Sequence, residues 1–499
     1  MVNATTDEKR GFACAICWMA VIVLALIAAT IAVVVAVRFM TDRAITYADP
    51  EEHFRYGSTG GEREMGFPYW IFKALPGTCP DLLPGEGFAS LGMISEPGRR
   101  LPVGMSERRH LGLDRVFINC AVCHSSTVRT APDAAPVVVS GMPANRFDIM
   151  GFQTFFFECG VSARFTPKVI LAQAEAAGAK LGFVDRHLIY PLAVYIMRER
   201  LLSLRERFEF VRHAPAWGPG RVDTWNSAKA GLNFPYAGLA PAERVGMTDF
   251  PSIWNQRQRR GMQLHWTGNN TRVEERNRSA ALGTGATPPT LDRDSIRRME
   301  DWLLDAKPPR FDAFFAVDSA LAARGEPLYR DHCAECHGRN GSDFSGERVG
   351  TVIPIEAIGT DRRHLDSYTH VLAVNQNTFY AGYGDERFSH FRKTFGYASM
   401  PLDGIWLRAP YLHNGSVPSL RALLEPASRR PAVFYRGNDL YDPASVGFVS
   451  DVAAEGERRY FRFETLRAGN SNKGHEGLAY GTQLPAEDKR ALLEYLKTF

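Results

Sequence analysis

The sequence predicts a mainly α chain with long loops and few short strands. An N-terminal transmembrane helix is followed by two domains, each organised around one Cys-x-x-Cys-His motif. Three features point there. One is an uninterrupted apolar run near the N-terminus. The second is the pair of motifs, Cys120-Ala-Val-Cys123-His124 and Cys333-Ala-Glu-Cys336-His337. The third is a set of short amphipathic segments set between stretches that use many of the chain's 44 glycines and 30 prolines. At 499 residues the chain is too long for one core and suits an anchor plus two or three domains.

The anchor comes first. From Gly11 to Val37, 27 residues carry no charge, and Ile, Val, Leu and Ala dominate. That length spans a bilayer with some tilt and exceeds the apolar region of a cleaved signal peptide. Residues 1–43 therefore read as an uncleaved signal anchor. Lys9 and Arg10 on one side and Arg38 and Arg43 on the other leave the positive-inside rule nearly silent. The rest of the composition is that of a globular protein, with 45% apolar and 23% charged residues. The net charge of +4 comes without a basic stripe interleaved with aromatics, which argues against nucleic acid as a partner.

Each Cys-x-x-Cys-His motif reads as an attachment site for a c-type haem. The two thiols, Cys120 and Cys123 or Cys333 and Cys336, add across the vinyl groups, and His124 or His337 becomes the proximal iron ligand. A zinc or redox Cys-x-x-Cys with an incidental histidine would require two coincidences in one chain. Two covalently bound haem c groups are therefore expected. Cytochromes of this class receive haem outside the cytoplasm, which places the body in the periplasm and the N-terminus inside. Cys14-Ala-Ile-Cys17 is followed by Trp18 and lies in the apolar run, so it reads as an inert thiol pair. Cys79 and Cys159 remain as a possible disulfide in an oxidising compartment.

Residues 44–309 form the first predicted domain. An irregular Gly-, Pro- and aromatic-rich segment over 44–100 leads to the first motif. Helical patterns follow over 164–212 and 293–306, the second ending before Pro308-Pro309. Residues 310–499 form the second. An amphipathic segment from Ala320 to Asp331 runs into Cys333, and a last helix from Ala486 to Lys497 starts after Pro485 with acidic residues in its first turn. This is the pattern of a small cytochrome c domain with a large insertion.

With the motifs placed, a family resemblance becomes visible over residues 100–499. Ala409-Pro-Tyr-Leu-His413-Asn-Gly-Ser-Val-Pro-Ser-Leu, Phe250-Pro-Ser-Ile-Trp-Asn255 and Leu264-His-Trp266-Thr-Gly268…Glu274-Glu275 resemble segments of the bacterial di-haem cytochrome c peroxidases. Gly141-Met-Pro143 and Asn472-Lys-Gly-His475-Glu-Gly are closest to the rubber-oxygenase-like branch. The resemblance implies two cytochrome c-like domains in which one haem meets an oxidant and the other relays electrons. It implies that Trp266 lies between the haems and that Glu275 or Glu274 is a distal acid/base. Thr267 replaces the family's Asp, and the region of the peroxidases' Met ligand holds Glu425-Pro-Ala427-Ser428. The sixth ligand of the second haem is then His475 or Met400, with His413 at the haem edge. His110 and His265 are candidates near the first haem. Asn145 and Arg146 are candidates for a propionate contact.

The function implied is a membrane-anchored periplasmic oxidoreductase of cytochrome c peroxidase type. It would reduce peroxide or activate dioxygen at the N-terminal haem with electrons from a membrane or periplasmic respiratory donor. The alternatives are a haem-dependent oxygenase acting on an organic substrate and a non-catalytic electron carrier.

Overall fold

The computed structural model describes residues 4–499, and the side chains from Cys14 onward, Asp385 excepted. Residues 1–3 of the expected anchor, and the side chains of its flanking charges Lys9 and Arg10, lie outside the described residues. The first element is a helix over Ala4–Met40. Its portion Cys14–Met40 is long and apolar enough to cross a membrane, and it touches the body only near its C-terminal end. Where it ends, Arg38 pairs with Asp185, and the ring of Phe39 covers Gly112. A Cβ at Gly112 would lie 2.8 Å from that ring.

The chain then enters the body as a strand. Arg43–Ala44 pairs with Arg109 and Arg108 at the edge of a four-stranded antiparallel sheet. The centre of the sheet is a hairpin, Met105–His110 with Leu113–Ile118, and Phe67–Pro68 closes the other edge. The hairpin turns through Leu111 and Gly112, both at positive φ, as a two-residue connection of this twist requires. The sequence reading did not foresee this hairpin, because Ser-Glu-Arg-Arg-His hides its alternation. Its polar side chains are buried by pairing. Arg108 is 2% exposed and donates to Asp42 (2.6 Å), Ser58 (3.2 Å) and Asp292. Removing one partner of such a buried cluster leaves charge unmatched, and through Asp42 the cluster holds the exit of the N-terminal helix to the sheet.

The first core is aromatic. Phe72, Phe88, Phe152, Phe155 and Phe156 pack with centroid separations of 4.5–6.3 Å. These rings come from the helix Tyr69–Thr78, the following loop and the helix Ile149–Val161. Asp148 caps the latter, accepting from the Gly151 N–H. A disulfide joins Cys79 to Cys159 and ties the two helices together. The helical pattern over 164–212 resolves into Pro167–Ala176 and Tyr190–Arg207 with a break at Gly178 and Gly182. The pattern over 293–306 is the helix Arg293–Asp305.

The second core forms where Ser319–His332 crosses the terminal helix Ala486–Leu496. Gly325 permits the crossing: a Cβ there would lie 2.0 Å from the Ala491 carbonyl oxygen. Tyr329 packs edge-on against Phe499, and its hydroxyl donates to the Gly338 carbonyl at 2.8 Å, just past the second motif. Between these helices, residues 338–485 carry short hairpins and loops rather than long helices. Asp439 fastens this region to the first half by accepting from Arg129 (2.9 Å), Arg146 (2.9 Å) and Thr127 (2.6 Å). Arg146 and Asn145, expected near a propionate, are therefore engaged elsewhere; Asn145 donates to the Asn438 carbonyl.

The disulfide closes a span of 80 residues, and cross-links of that size stabilise by about 4 kcal/mol in the chain-entropy picture. Cys159→Ala should lower stability by that order in denaturant titrations. The reduced parent protein should shift equally, and no shift in either would show that the helix pair is held by its aromatic packing alone.

Candidate functional site

The first motif is a tight turn stabilised from below. Asn119 accepts from the Ala121 N–H at 2.9 Å and donates to the Gly57 carbonyl at 2.8 Å. Gly104, at the base of the hairpin, touches the turn directly: a Cβ there would sit 2.3 Å from the backbone of Val122. His124 follows, and its Nδ1 lies 2.9 Å from the Pro251 carbonyl. A carbonyl can only accept, so Nδ1 carries the proton and Nε2 is left with a free lone pair. Burial, assisted by the nearby Arg276, pushes the His124 pKa down to about 4 against the opposing Pro251 bond. The imidazole is thus neutral, the form that binds a metal.

The second motif repeats the arrangement. His337 donates from Nδ1 to the Met400 carbonyl at 2.7 Å, and burial again favours the neutral ring. Met400 therefore stands behind the imidazole on its Nδ1 side. Its sulfur lies 3.9 Å from an Arg259 guanidinium nitrogen. The residue expected as a possible sixth ligand is placed as the support of the proximal one.

Across from His337 stands His475, with ring centroids 6.2 Å apart. Two imidazoles on opposite sides of one metal ion, each bonded at about 2.0 Å, have ring centres roughly 6 Å apart, so the pair fits a shared iron. His475 reaches this position from a strained loop, at φ 48° after Gly474 at φ 79°. Gly474 presses on Gly359 and Thr360, where a Cβ would meet backbone at 2.3–2.4 Å. Arg430 locks the loop by donating to the carbonyls of Gly474 (2.9 Å) and His475 (3.1 Å). His475 Nδ1 has no hydrogen-bond partner, and burial, then His337 and Arg430, push its pKa to about 3.

His124 has no such counterpart among the described residues. Its aromatic neighbour is Phe250, edge-on at 6.4 Å. His110 sits at the hairpin tip, 3.7 Å from Asp42. His265 is bound through Nδ1 to Asn269 at 2.5 Å, lies near Trp225 and Phe391, and lines the cavity that also holds Trp266 and Arg276. The two halves of the site are thus unequal.

One largely apolar cavity opens from the second motif toward the segment that supports the first. It runs from His337 and His475 past Tyr397, His413 and Trp266 to Pro251 and Arg276. Trp266 donates its indole N–H to the Asp249 carbonyl at 2.8 Å, which fixes the ring in the cavity wall. His413 is buried, stacked on Tyr397 at 4.0 Å, with Nε2 unpartnered.

The helix Val273–Gly283 turns Val273 and Arg276 toward this cavity, and neither expected glutamate lines it. Glu274 faces outward, 3.3 Å from Arg260. Glu275, the next residue, is buried on another side of the helix, where its carboxylate accepts from Asn270 (3.0 Å), the Ser389 N–H (3.1 Å), the His390 N–H (3.2 Å) and the His390 ring (2.7 Å). Sequence reasoning passed over Arg276 and Arg259. Arg276 shares a helix face with Val273, three residues earlier, a pattern that could have marked it. Its Nε has no partner.

These features define a haem c-binding protein of the cytochrome c type. In agreement, residues 396–435, which hold Met400, His413 and Arg430, match the family described as RoxA-like, cytochrome c-like, the rubber-oxygenase-like branch. The chain is 32% identical to the "Uncharacterized protein y4iJ" of Sinorhizobium fredii (strain NBRC 101917 / NGR234), over 88% of this chain and 89% of that one, and it belongs to the y4iJ family. It is also 32% identical to y4iM of the same organism, over 50% of this chain and 64% of y4iM.

The Glu275 cluster has a pH signature. Burial pushes its carboxyl pKa up, but the hydrogen bonds from His390, Asn270 and the two backbone N–H groups outweigh this and hold it below the ordinary value of 4.5. The stability it contributes is fully present above pH 4.5 and is lost as pH falls through the lowered folded value. Hydrogen exchange at the Ser389 and His390 amides, corrected for intrinsic rates, should rise across that fall and stay flat above it. A flat profile throughout would remove the carboxylate from the account of this loop.

Proposed function

We propose that the protein is a membrane-anchored periplasmic oxidoreductase carrying two covalently bound haem c groups. It reduces peroxide or activates dioxygen on the His124 side, with electrons arriving through the His337–His475 side from a membrane or periplasmic respiratory donor. The observation that carries this reading is the inequality of the two histidines: His337 faces His475 at 6.2 Å, whereas among the described residues no imidazole faces His124.

Haem held by these residues would supply a redox-active iron for reaction with an oxidant. The chain's own residues set the rest. Cys120 and Cys123, and Cys333 and Cys336, hold the two groups. Pro251 and Met400 orient the proximal imidazoles through Nδ1 and leave Nε2 for the metal. His475 closes the second site, and replacing a thioether by an imidazole there lowers its reduction potential. Arg276 brings a positive charge to the cavity wall beside the first site, where it favours anions and developing negative charge. Glu275 and its partner His390, which is half-exposed, form a proton path between solvent and the turn before Arg276. Trp266, held by Asp249 in the wall of the cavity beside the second motif, is the candidate inter-haem residue. The apolar cavity excludes water from them.

A second reading, an oxygenase acting on an apolar organic substrate, is favoured by the RoxA-like match and by the apolar lining of the cavity. Oxygen uptake with product formation, against peroxide-dependent oxidation of a reduced cytochrome, separates the two.

Absorption and EPR spectra of the purified protein at stepped potentials should show one high-spin haem that binds carbon monoxide or cyanide and one low-spin haem. In His475→Ala the low-spin signal should become high-spin with haem content unchanged. If both haems are low-spin in every redox state and bind neither ligand, the protein is an electron carrier. Glu275→Gln should slow the oxidant reaction by about 100-fold with both haems retained; undiminished turnover would sink the proton-path assignment.

A further inference from the structure

The helix Tyr190–Arg207 is apolar on two opposite sides. Tyr190, Val194, Met197 and Leu201 are buried against the body. Leu188, Leu192, Tyr195 and Ile196, spaced by four, three and one, point outward and are each more than half exposed. Phe183 (77% exposed) and Val184 (50%) extend this stripe at its N-terminal end. It is about 20 Å long at 1.5 Å per residue and ends at the exposed Glu199. Large contiguous apolar patches on a folded body mark contact with a protein or a membrane.

The position of the stripe chooses between them. Asp185, inside the stripe's first turn, is the residue that pairs with Arg38 at the end of the apolar N-terminal helix. Phe39 is pinned on Gly112, and the neighbouring Leu111 at the hairpin tip is also exposed (58%). Two residues after Met40 the chain is already a strand of the body's sheet. The link between the apolar helix and the stripe is therefore short and held by side chains, not a free tether. Lys180 is exposed at the end of the stripe nearest the anchor, suited to an anionic headgroup, beside Arg186, which pairs with Glu175, and an outward tyrosine suits the interfacial layer.

We infer that this face lies in the headgroup region of the bilayer that the N-terminal helix crosses, so that the body is docked on the membrane in one orientation. The inference rests on the anchor reading proposed above. It adds to that reading a second, monotopic contact made by residues 183–196.

The test uses the full-length holoprotein in vesicles of phosphatidylethanolamine and phosphatidylglycerol at 3:1. Cys14 and Cys17 are replaced by alanine, and a bimane label is placed at Leu192→Cys or, as reference, at Leu466→Cys, a site 94% exposed and outside the stripe. Shallow doxyl-labelled lipids should quench the label at 192 several-fold more than the label at 466. Adding Leu188→Glu and Ile196→Glu should abolish the difference while leaving the haem spectrum unchanged. Equal quenching at both positions overturns docking, as does protection at 192 that vanishes on dilution and accompanies 192–192 cross-linking, which would mark a second copy as the occupant. Intact mass and carbonate extraction report the anchor separately. If the N-terminal helix proves to be cleaved, flotation of the processed protein with the same vesicles decides docking, and failure to float overturns it.

Discussion

Two backbone carbonyls organise this protein. Pro251 and Met400 each accept the Nδ1 proton of a motif histidine, at 2.9 and 2.7 Å, and so direct both Nε2 lone pairs into the interior. Everything around them keeps those carbonyls in place. Pro251 belongs to the segment whose neighbours Asp249 and Phe250 are fixed to His413 and Gly220 by backbone hydrogen bonds. Met400 follows the strand Gly396–Ala398, which pairs with Val352–Pro354 and receives the Trp266 carbonyl at Ala398. The two supports are thus parts of one connected framework, and the cavity between the motifs is the space that framework encloses.

The same constraint explains the asymmetry of the halves. On the second motif the chain spends a strained left-handed residue, a close glycine contact and the Arg430 clamp to bring His475 opposite His337. Such backbone strain persists where surrounding contacts over-determine it, and it gathers at functional positions. Among the described residues no comparable device stands opposite His124, whose pKa feels the charge of Arg276 in the cavity wall.

The haem motifs, the apolar N-terminal helix and four of the later helices were legible because each depends on local pattern: fixed spacing, length, or 3.6-residue periodicity. Choosing between His475 and Met400 required the fold, since Met400 precedes a proline as a ligand methionine would and only its carbonyl's position reveals the supporting role. The hairpin 105–118 was hidden because its buried residues are charged and find partners as distant in sequence as Asp292. Arg276 was overshadowed by the two glutamates before it. A helix advances 100° per residue, so adjacent positions face different surroundings, and a motif match cannot say which of three consecutive charged residues turns inward. Cys79 and Cys159 could be named as partners only because the other six cysteines had been assigned.

That disulfide sets a condition on assembly. Of the six cysteines outside the N-terminal helix only two form a disulfide, and the four of the Cys-x-x-Cys-His motifs are free thiols, as the proposed attachment of haem to them requires. Cys79 and Cys159 are almost completely enclosed by the aromatic core. Cys120 and Cys123 stand three residues apart on one turn, close enough to oxidise with each other or to exchange with an unfinished Cys79. Early collapse of the phenylalanine core would withdraw one pair from exchange and leave the other two open to the maturation apparatus. On the two-haem proposal the first core would then be a sorting device as well as a structural one, separating the sulfurs that cross-link from those kept for the cofactor.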